Sequence, residues 1–141
     1  MKSLIIPLIL ALSGVGPNSY RIALPNGLKI NAEIAKDKEK GLQGRRSLCL
    51  ACGMIFIFDA EGYYEFWMKD TLINLAILWV NGDGRIVHIV KNAKPCLPRQ
   101  NPYTECEVYS SSSPAKYVLE INPSAAKGIE VDMKIRSRPP L

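Results

Sequence analysis

Apolar and polar residues alternate along most of the chain in short runs, a pattern typical of β-strands rather than of helices. Glycine, proline and asparagine separate the runs, and the strongest turn signal is Asn81-Gly82-Asp83-Gly84. About eight strands are predicted. They cover residues 20–24, 28–34, 54–58, 63–69, 75–80, 85–90, 117–121 and 131–136. The sequence therefore predicts a mainly β fold, either a compact barrel-like domain or a two-layer antiparallel sheet.

Helical signals are confined to two short segments. Residues 123–127 are predicted to form a short helix, with Asn122 as its N-cap and Gly128 at its end. The charged run 36–41 is long enough for one helical turn, and we interpret it as a solvated surface rather than a binding element. The polar run 110–113 is predicted to be a loop.

The first sixteen residues have the order of a secretory signal peptide. Lys2 precedes an uninterrupted apolar run, residues 4–12, and small residues follow at 13–16. A bilayer span needs about 20 apolar residues, so this run is too short to be one. We expect cleavage near residues 13–16 and no membrane span in the mature chain. The alternative is a buried N-terminal strand.

The rest of the chain is expected to form one domain. Its 141 residues suit a single unit, in which residues 20–136 form a β-rich domain and residues 137–141 a short tail. The formal net charge of +5 is a mild excess. It favours weak contact with anionic surfaces, and no specific nucleic-acid binding is expected.

Four cysteines, at positions 49, 52, 96 and 106, indicate the compartment. In an exported protein an even number of cysteines predicts disulfides, here two. We favour a Cys96–Cys106 disulfide, because the segment between these residues reads as a loop. Cys49 then pairs with Cys52 or stays reduced. The four cysteines and the predicted signal peptide together predict a periplasmic or secreted protein.

The segment 63–69 is the strongest candidate for a binding surface, because strand side chains alternate between two faces. One face carries Tyr63, Glu65, Trp67 and Lys69, and the other carries Tyr64, Phe66 and Met68. The second face is predicted to be core. Aromatic rings beside charges can hold a sugar ring or an anionic group. Alternatively, Glu65 and Lys69 pair with neighbours on an exposed face while Trp67 packs against the sheet.

Arg45 and Glu120 are further candidate binding residues. The Arg45 guanidinium can clamp a carboxylate or phosphate with two parallel hydrogen bonds, or lock a loop through backbone carbonyls. Glu120 poses the same choice, since it can bind a ligand or pair with Arg45. In that pairing both residues would be structural.

Other chemistry has weaker support. Cys49-Leu50-Ala51-Cys52 has the spacing of thiol–disulfide motifs, but it does not lie between a strand and a helix. His88, the one histidine, is predicted to pack on the face of Ile86 and Val90. No catalytic set, metal site or cofactor site is identified.

Several segments together resemble the family known as domain of unknown function 192. They are residues 41–45 (GLQGR), 53–58 (GMIFIF), 66–73 (FWMKDTLI), 82–87 (GDGRIV) and 114–120 (PAKYVLE). The resemblance runs from about residue 20 to 135 and implies a compact, mostly β, often exported protein with no agreed activity. The chain departs from the family pattern at Gln43, Asp70 and Ala76. Ala76 replaces a carboxylate, which makes it the departure of most interest.

Three functions remain open. The leading hypothesis is a non-catalytic ligand-binding or accessory domain that meets an unidentified small molecule or protein outside the cytoplasm. The second is a thiol–disulfide enzyme that uses Cys49 and Cys52. The third is a structural or inhibitory module that docks on another protein through the basic residues Lys134, Arg136 and Arg138.

Overall fold

A computed structural model describes residues 18–141, so the predicted signal peptide lies outside the described residues. These residues form nine strands and one short 3₁₀ helix, Pro123–Ala126. The strands are β1 Ser19–Ala23, β2 Lys29–Ile34, β3 Cys52–Gly62, β4 Glu65–Trp67, β5 Leu75–Val80, β6 Ile86–Ala93, β7 Val108–Ser110, β8 Ala115–Ile121 and β9 Arg136–Arg138. The predicted mainly β fold is confirmed.

The strands form two sheets. The main sheet has seven strands in the order β6-β5-β8-β3-β2-β1-β9, and β4 pairs with β7 in a second sheet. The main sheet does not close into a barrel, so the two-layer alternative describes the fold. It is mixed rather than purely antiparallel, because β2 and β3 run parallel. Parallel neighbours need a crossover, and residues 35–51 supply it.

Strand β5 shows why the main sheet has a core on each face. All six of its residues are buried. Ala76, Leu78 and Val80 join one apolar cluster, while Leu75, Ile77 and Trp79 join another. Successive side chains of β5 thus pack into two cores, one on each face of the sheet, which explains why every residue of this run is apolar.

The second sheet covers one of these cores. Phe66 on β4 lies opposite Tyr109 on β7, and both pack against the cluster that contains Trp79. Trp67 and Val108, the next pair, are exposed. Strand β7 was not predicted, because it is three residues long and pairs with a strand distant in sequence. It takes in Ser110, the first residue of the predicted loop.

The end of the chain differs from the prediction. In place of a strand over residues 131–136, an isolated bridge joins Lys134 to Arg85, and β9 begins at Arg136. Strand β9 pairs with β1, so it extends into the segment expected to be a tail. The short helix is confirmed as a 3₁₀ turn, in which the Asn122 side chain accepts from the Ser124 N–H at 2.9 Å.

His88 shares a face with Val90, as predicted, but it lies on the opposite face from Ile86, which corrects that part of the prediction. It lies opposite Trp79, whereas Ile86 lies opposite Val80, so Val87 is an extra residue in β6. Such a bulge reverses the alternation of faces. The His88 ring packs edge-on against Trp79, with centroids 5.2 Å apart.

Both cysteine pairs form disulfides, Cys49–Cys52 and Cys96–Cys106. The second also fixes a neighbouring segment. The Cys96 N–H donates to the Met68 carbonyl at 3.1 Å, and the Asp70 N–H donates to the Cys96 carbonyl at 2.8 Å. Within residues 18–141, no helix has the length and apolar character to cross a membrane.

The two disulfides should stabilise the fold unequally. Replacing Cys96 and Cys106 by alanine should lower the free energy of unfolding by about 3 kcal/mol in the chain-entropy model. Replacing Cys49 and Cys52 should cost about 2 kcal/mol, since that bond closes a much shorter loop. Urea denaturation of the two double variants measures the difference. A larger loss for the Cys49–Cys52 pair would contradict this ranking.

Candidate functional site

A cavity of about 830 Å³ lies between the main sheet and the covering layer. Strands β3 and β8 contribute from the main sheet, while β4 and the turn of residues 37–43 contribute from above. Five aromatic side chains, Phe56, Phe58, Tyr64, Phe66 and Trp67, form part of its walls, and charged residues form much of the rest. We call this space the β3–β4 cavity.

Ring packing holds the aromatic walls in place. Phe58 and Tyr64 stack with centroids 3.6 Å apart. Phe66 meets Phe56 edge-on at 4.8 Å and Trp79 at 5.9 Å. The Trp79 Nε1–H also donates to the Tyr64 carbonyl at 2.9 Å, which attaches the chain beside β4 to the main sheet. The walls are therefore part of the folded core rather than loosely placed surface groups.

The turn of residues 37–43 closes one side of the cavity. The Gly41 N–H donates to the Asp37 carbonyl at 3.0 Å, so the expected single helical turn is present. Gly41 has a φ of +50°, and a Cβ there would lie 3.1 Å from the Phe56 ring. Glycine suits this position because it adopts a positive φ without strain and because it has no Cβ to crowd the Phe56 ring. The charged run, interpreted from sequence as solvated surface alone, also lines the cavity.

Glu120 is the unusual residue of the cavity. It lies on β8 between Met54 of β3 and Ile77 of β5, both buried and apolar. Only 5% of Glu120 is exposed, and no described residue hydrogen-bonds to its carboxyl group. Every fully buried side-chain nitrogen or oxygen among the described residues has a partner. The Glu120 carboxyl oxygens therefore keep their contact with the cavity, which Glu120 lines.

Burial determines the protonation of Glu120. It raises the pKa of Glu120 to about 8, because the apolar surroundings disfavour the charged carboxylate. At neutral pH most molecules therefore carry a protonated Glu120. A protonated carboxyl can donate one hydrogen bond and accept others, while the carboxylate is acceptor-only.

Charged side chains surround the cavity mouth. Lys69 Nζ lies 5.1 Å from the centre of the Trp67 ring, and Lys38 Nζ lies 5.6 Å from that of Phe58. Asp70 lines the same cavity with a φ of +55°, a conformation that aspartate tolerates better than most residues. Its carbonyl accepts from the Gly44 N–H at 3.1 Å, which ties the mouth to the turn segment.

The structure brings four of the five predicted binding residues together. Glu65, Trp67, Lys69 and Glu120 all line the β3–β4 cavity. Trp67 is 47% exposed, so it does not pack flat against the sheet. The sequence did not point to Phe56, Phe58, Tyr64 and Phe66 as cavity residues. Their alternation identified the core face but not the space left within it.

Arg45 belongs to a different place. Its guanidinium forms an ion pair with Glu33 and contacts both carboxylate oxygens. It lines a neighbouring cavity rather than the one that contains Glu120. The suggested Arg45–Glu120 pair is therefore wrong. Glu33 lies on β2, and Arg45 lies in the crossover that connects β2 to β3. The sequence does not show that this crossover brings the two residues together.

Ala76 does not contribute to the cavity. It is fully buried in the cluster on the other face of β5, opposite the face that contains Ile77. A carboxylate at this position would point away from Glu120. Its replacement therefore leaves the cavity lining unchanged.

The remaining candidate chemistry has little structural support. Cys49 is exposed, its disulfide partner Cys52 begins β3, and the pair precedes a strand rather than a helix. The nearby Arg45 is already paired with Glu33. Within residues 18–141, histidine, cysteine and carboxylate side chains form no cluster suited to a metal ion.

The fold and cavity define a class of small two-layer β proteins with a buried acid in an aromatic-walled cavity. The model of the DUF192 family, described as "Uncharacterized ACR", matches residues 22–137. The protein therefore belongs to the DUF192 family. The comparison with curated proteins gives no match.

Two solved structures are similar to this chain. One, from Sinorhizobium meliloti 1021, is named as a candidate transcription regulator. It is 29% identical with a TM-score of 0.71, and the match covers 85% of this chain and 92% of that one. The other is a protein of unknown function from Novosphingobium aromaticivorans DSM 12444. It is 30% identical with a TM-score of 0.68, and the match covers 86% and 90% of the two chains.

The raised pKa of Glu120 predicts how stability changes with pH. The folded protein holds this proton up to about pH 8, whereas the unfolded chain releases it near pH 4.5. Between these values the folded state binds more protons, so this group makes the protein less stable as pH rises. The Glu120→Gln variant should lose this decline, which is roughly 1.4 kcal/mol per pH unit at most.

Urea denaturation of the wild type and of Glu120→Gln across this pH range tests the effect. The exposed Glu65→Gln variant, at the mouth of the same cavity, is the control and should follow the wild-type profile. Parallel profiles for the wild type and Glu120→Gln would show that Glu120 ionises normally.

Proposed function

We propose that this DUF192 protein is an exported binding domain that holds a small organic molecule in the β3–β4 cavity. The observation that carries the proposal is the unpaired, buried carboxyl of Glu120 at the cavity surface. A buried polar group without a hydrogen-bond partner costs about 1–3 kcal/mol. Because the Glu120 oxygens reach the cavity, water or a ligand there can supply the missing hydrogen bonds and avoid this cost, whereas an apolar residue would need neither.

The size and lining of the cavity support a ligand of ordinary metabolite size. Small-molecule sites usually occupy about 300–1,000 Å³ and combine apolar walls with a few polar groups that orient the ligand. The cavity of about 830 Å³ lies within that size range, and five aromatic rings and one buried acid line it together with charged groups. Trp67 at the mouth supplies an exposed ring on which a ligand can stack.

Export is part of the same proposal. Two disulfides are expected in an oxidising compartment rather than in a reducing cytosol. The apolar leader expected from residues 4–12 supports the same location.

The alternative functions have less support. A thiol–disulfide enzyme needs a group that stabilises the Cys49 thiolate, and Arg45 is occupied by Glu33. The side chains of Lys134, Arg136 and Arg138 are exposed, but exposed basic residues alone do not indicate a docking partner. We do not extend the name of the S. meliloti relative to this chain, because a net charge of +5 alone does not specify a nucleic-acid partner.

Native mass spectrometry of protein purified from the exported fraction, without refolding, tests the binding function. We expect a reproducible added mass on the wild-type protein. Its fraction should fall about tenfold in Trp67→Ala, since loss of a stacking contact worth about 1–1.5 kcal/mol weakens binding by that factor.

The control is Tyr103→Ala, which removes a 92% exposed aromatic residue outside the cavity and should keep the added mass. A wild-type protein that always appears as the bare chain, with no added mass from a library of metabolites, would contradict the proposal.

A further inference from the structure

We infer that the β3–β4 cavity selects an organic cation, an amine or quaternary ammonium compound whose charge lies between Glu120 and the aromatic walls. The inference rests on the proposed binding function and specifies the chemical class of the ligand.

The charge balance of the cavity is the first argument. The chain as a whole has 18 basic and 13 acidic residues. The cavity lining reverses this excess, with five acidic and three basic side chains. The acidic ones are Asp37, Glu39, Glu65, Asp70 and Glu120, and the basic ones are Lys38, Lys40 and Lys69. With Glu120 protonated in the free protein, four carboxylates stand against three ammonium groups, and the negative excess grows when Glu120 ionises on binding. This local reversal of the protein's positive charge attracts cations to the cavity.

The aromatic walls are the second argument. The face of an aromatic ring attracts a cation within about 6 Å of its centre. Two rings of this cavity already do so, since Lys69 lies over Trp67 and Lys38 over Phe58. Phe56, Phe66 and Tyr64 extend the aromatic lining beyond these two contacts. Rings around a cation are the arrangement that recognises quaternary ammonium compounds.

Glu120 is the third argument, because it lacks a counter-ion. Its neighbours Met54 on β3 and Ile77 on β5 are uncharged. The charged groups that share the cavity with it come from the residue 37–40 turn and from Glu65, Lys69 and Asp70. None of these is within ion-pair distance of Glu120. A ligand cation would supply the missing charge.

Pairing of a ligand cation with Glu120 requires that Glu120 lose its proton. Free Glu120 is largely protonated at neutral pH, because burial raises its pKa to about 8. An ammonium ligand pairs with the carboxylate, so binding releases the Glu120 carboxyl proton to solvent. The ligand keeps its own proton or methyl groups, and no covalent bond changes. Affinity should therefore rise about tenfold per pH unit below pH 8 and level off above it.

Calorimetry with choline, benzylammonium and putrescine between about pH 6 and 9 tests the inference. The matched ligand is 3,3-dimethylbutan-1-ol, which has the shape of choline without its charge. At least one cation should bind, and where choline binds the neutral alcohol should bind at least about tenfold more weakly. Titrations in buffers of different ionisation enthalpy should show one proton released per cation below pH 8.

Two variants separate the contributions. Glu120→Gln keeps the side-chain shape and should weaken cation binding at least about tenfold and remove its pH dependence. Trp67→Leu, at an exposed position, should weaken cation binding while the free energy of unfolding stays unchanged. Thermal unfolding of both variants confirms that they fold.

The results distinguish the inference from the proposed function. If none of the three cations binds across the pH range, or if Glu120→Gln binds them as the wild type does, the cation inference is overturned. If the native mass spectrum then shows a bound sugar or anion that Trp67→Ala loses, the binding function stands. If no added mass appears either, both fail.

Discussion

The burial of the Glu120 carboxyl group between Met54 and Ile77 constrains the arrangement of the second layer. Both faces of β5 are buried, and β8 lies beside it in the same sheet. A side chain on this face would ordinarily be apolar and covered by the next layer. With a carboxyl group there, the covering layer must leave space that water or a ligand can occupy, because an enclosed unpaired carboxyl is costly. The β3–β4 cavity is that space.

The covering layer depends on aromatic packing and on one disulfide. Phe66 anchors β4 on the main sheet through its edge contacts with Phe56 and Trp79. The bridge between Lys69 and Cys96 connects the segment after β4 to the loop that the Cys96–Cys106 disulfide closes. The cavity wall is therefore held from the main sheet on one side and from the disulfide loop on the other. A wall supported in this way can present a preformed site, which lowers the entropic cost of binding.

Much of the fold could be predicted because its signals are local. Strand β5 was predicted with the bounds it has, since six successive apolar residues between polar ones leave little choice. The hairpin to β6 followed from its glycine-rich turn. Strand β7 was missed because its pairing with β4 is non-local and it has only three residues. The prediction that His88 shares a face with Ile86 was wrong, because the one-residue bulge between them in β6 has no signature in the sequence.

The site was predictable only in part, for a related reason. Alternation placed Glu65, Trp67 and Lys69 on one face, and Glu120 was a candidate either as a ligand-binding residue or as the partner of Arg45. That these residues border one cavity depends on how the layers meet, and this is a tertiary property. The ion pair of Arg45 with Glu33 likewise depends on the crossover between two parallel strands.

The central claim is that Glu120 is protonated in the folded protein at neutral pH. The direct measurement is the ¹³C chemical shift of the Glu120 carboxyl carbon as a function of pH, assigned with the Glu120→Gln variant. A titration midpoint near pH 8 would agree with a buried, unpaired acid at the cavity surface. A midpoint near the ordinary value of about 4.3 would mean a solvated or paired carboxylate, and would contradict the account of the site.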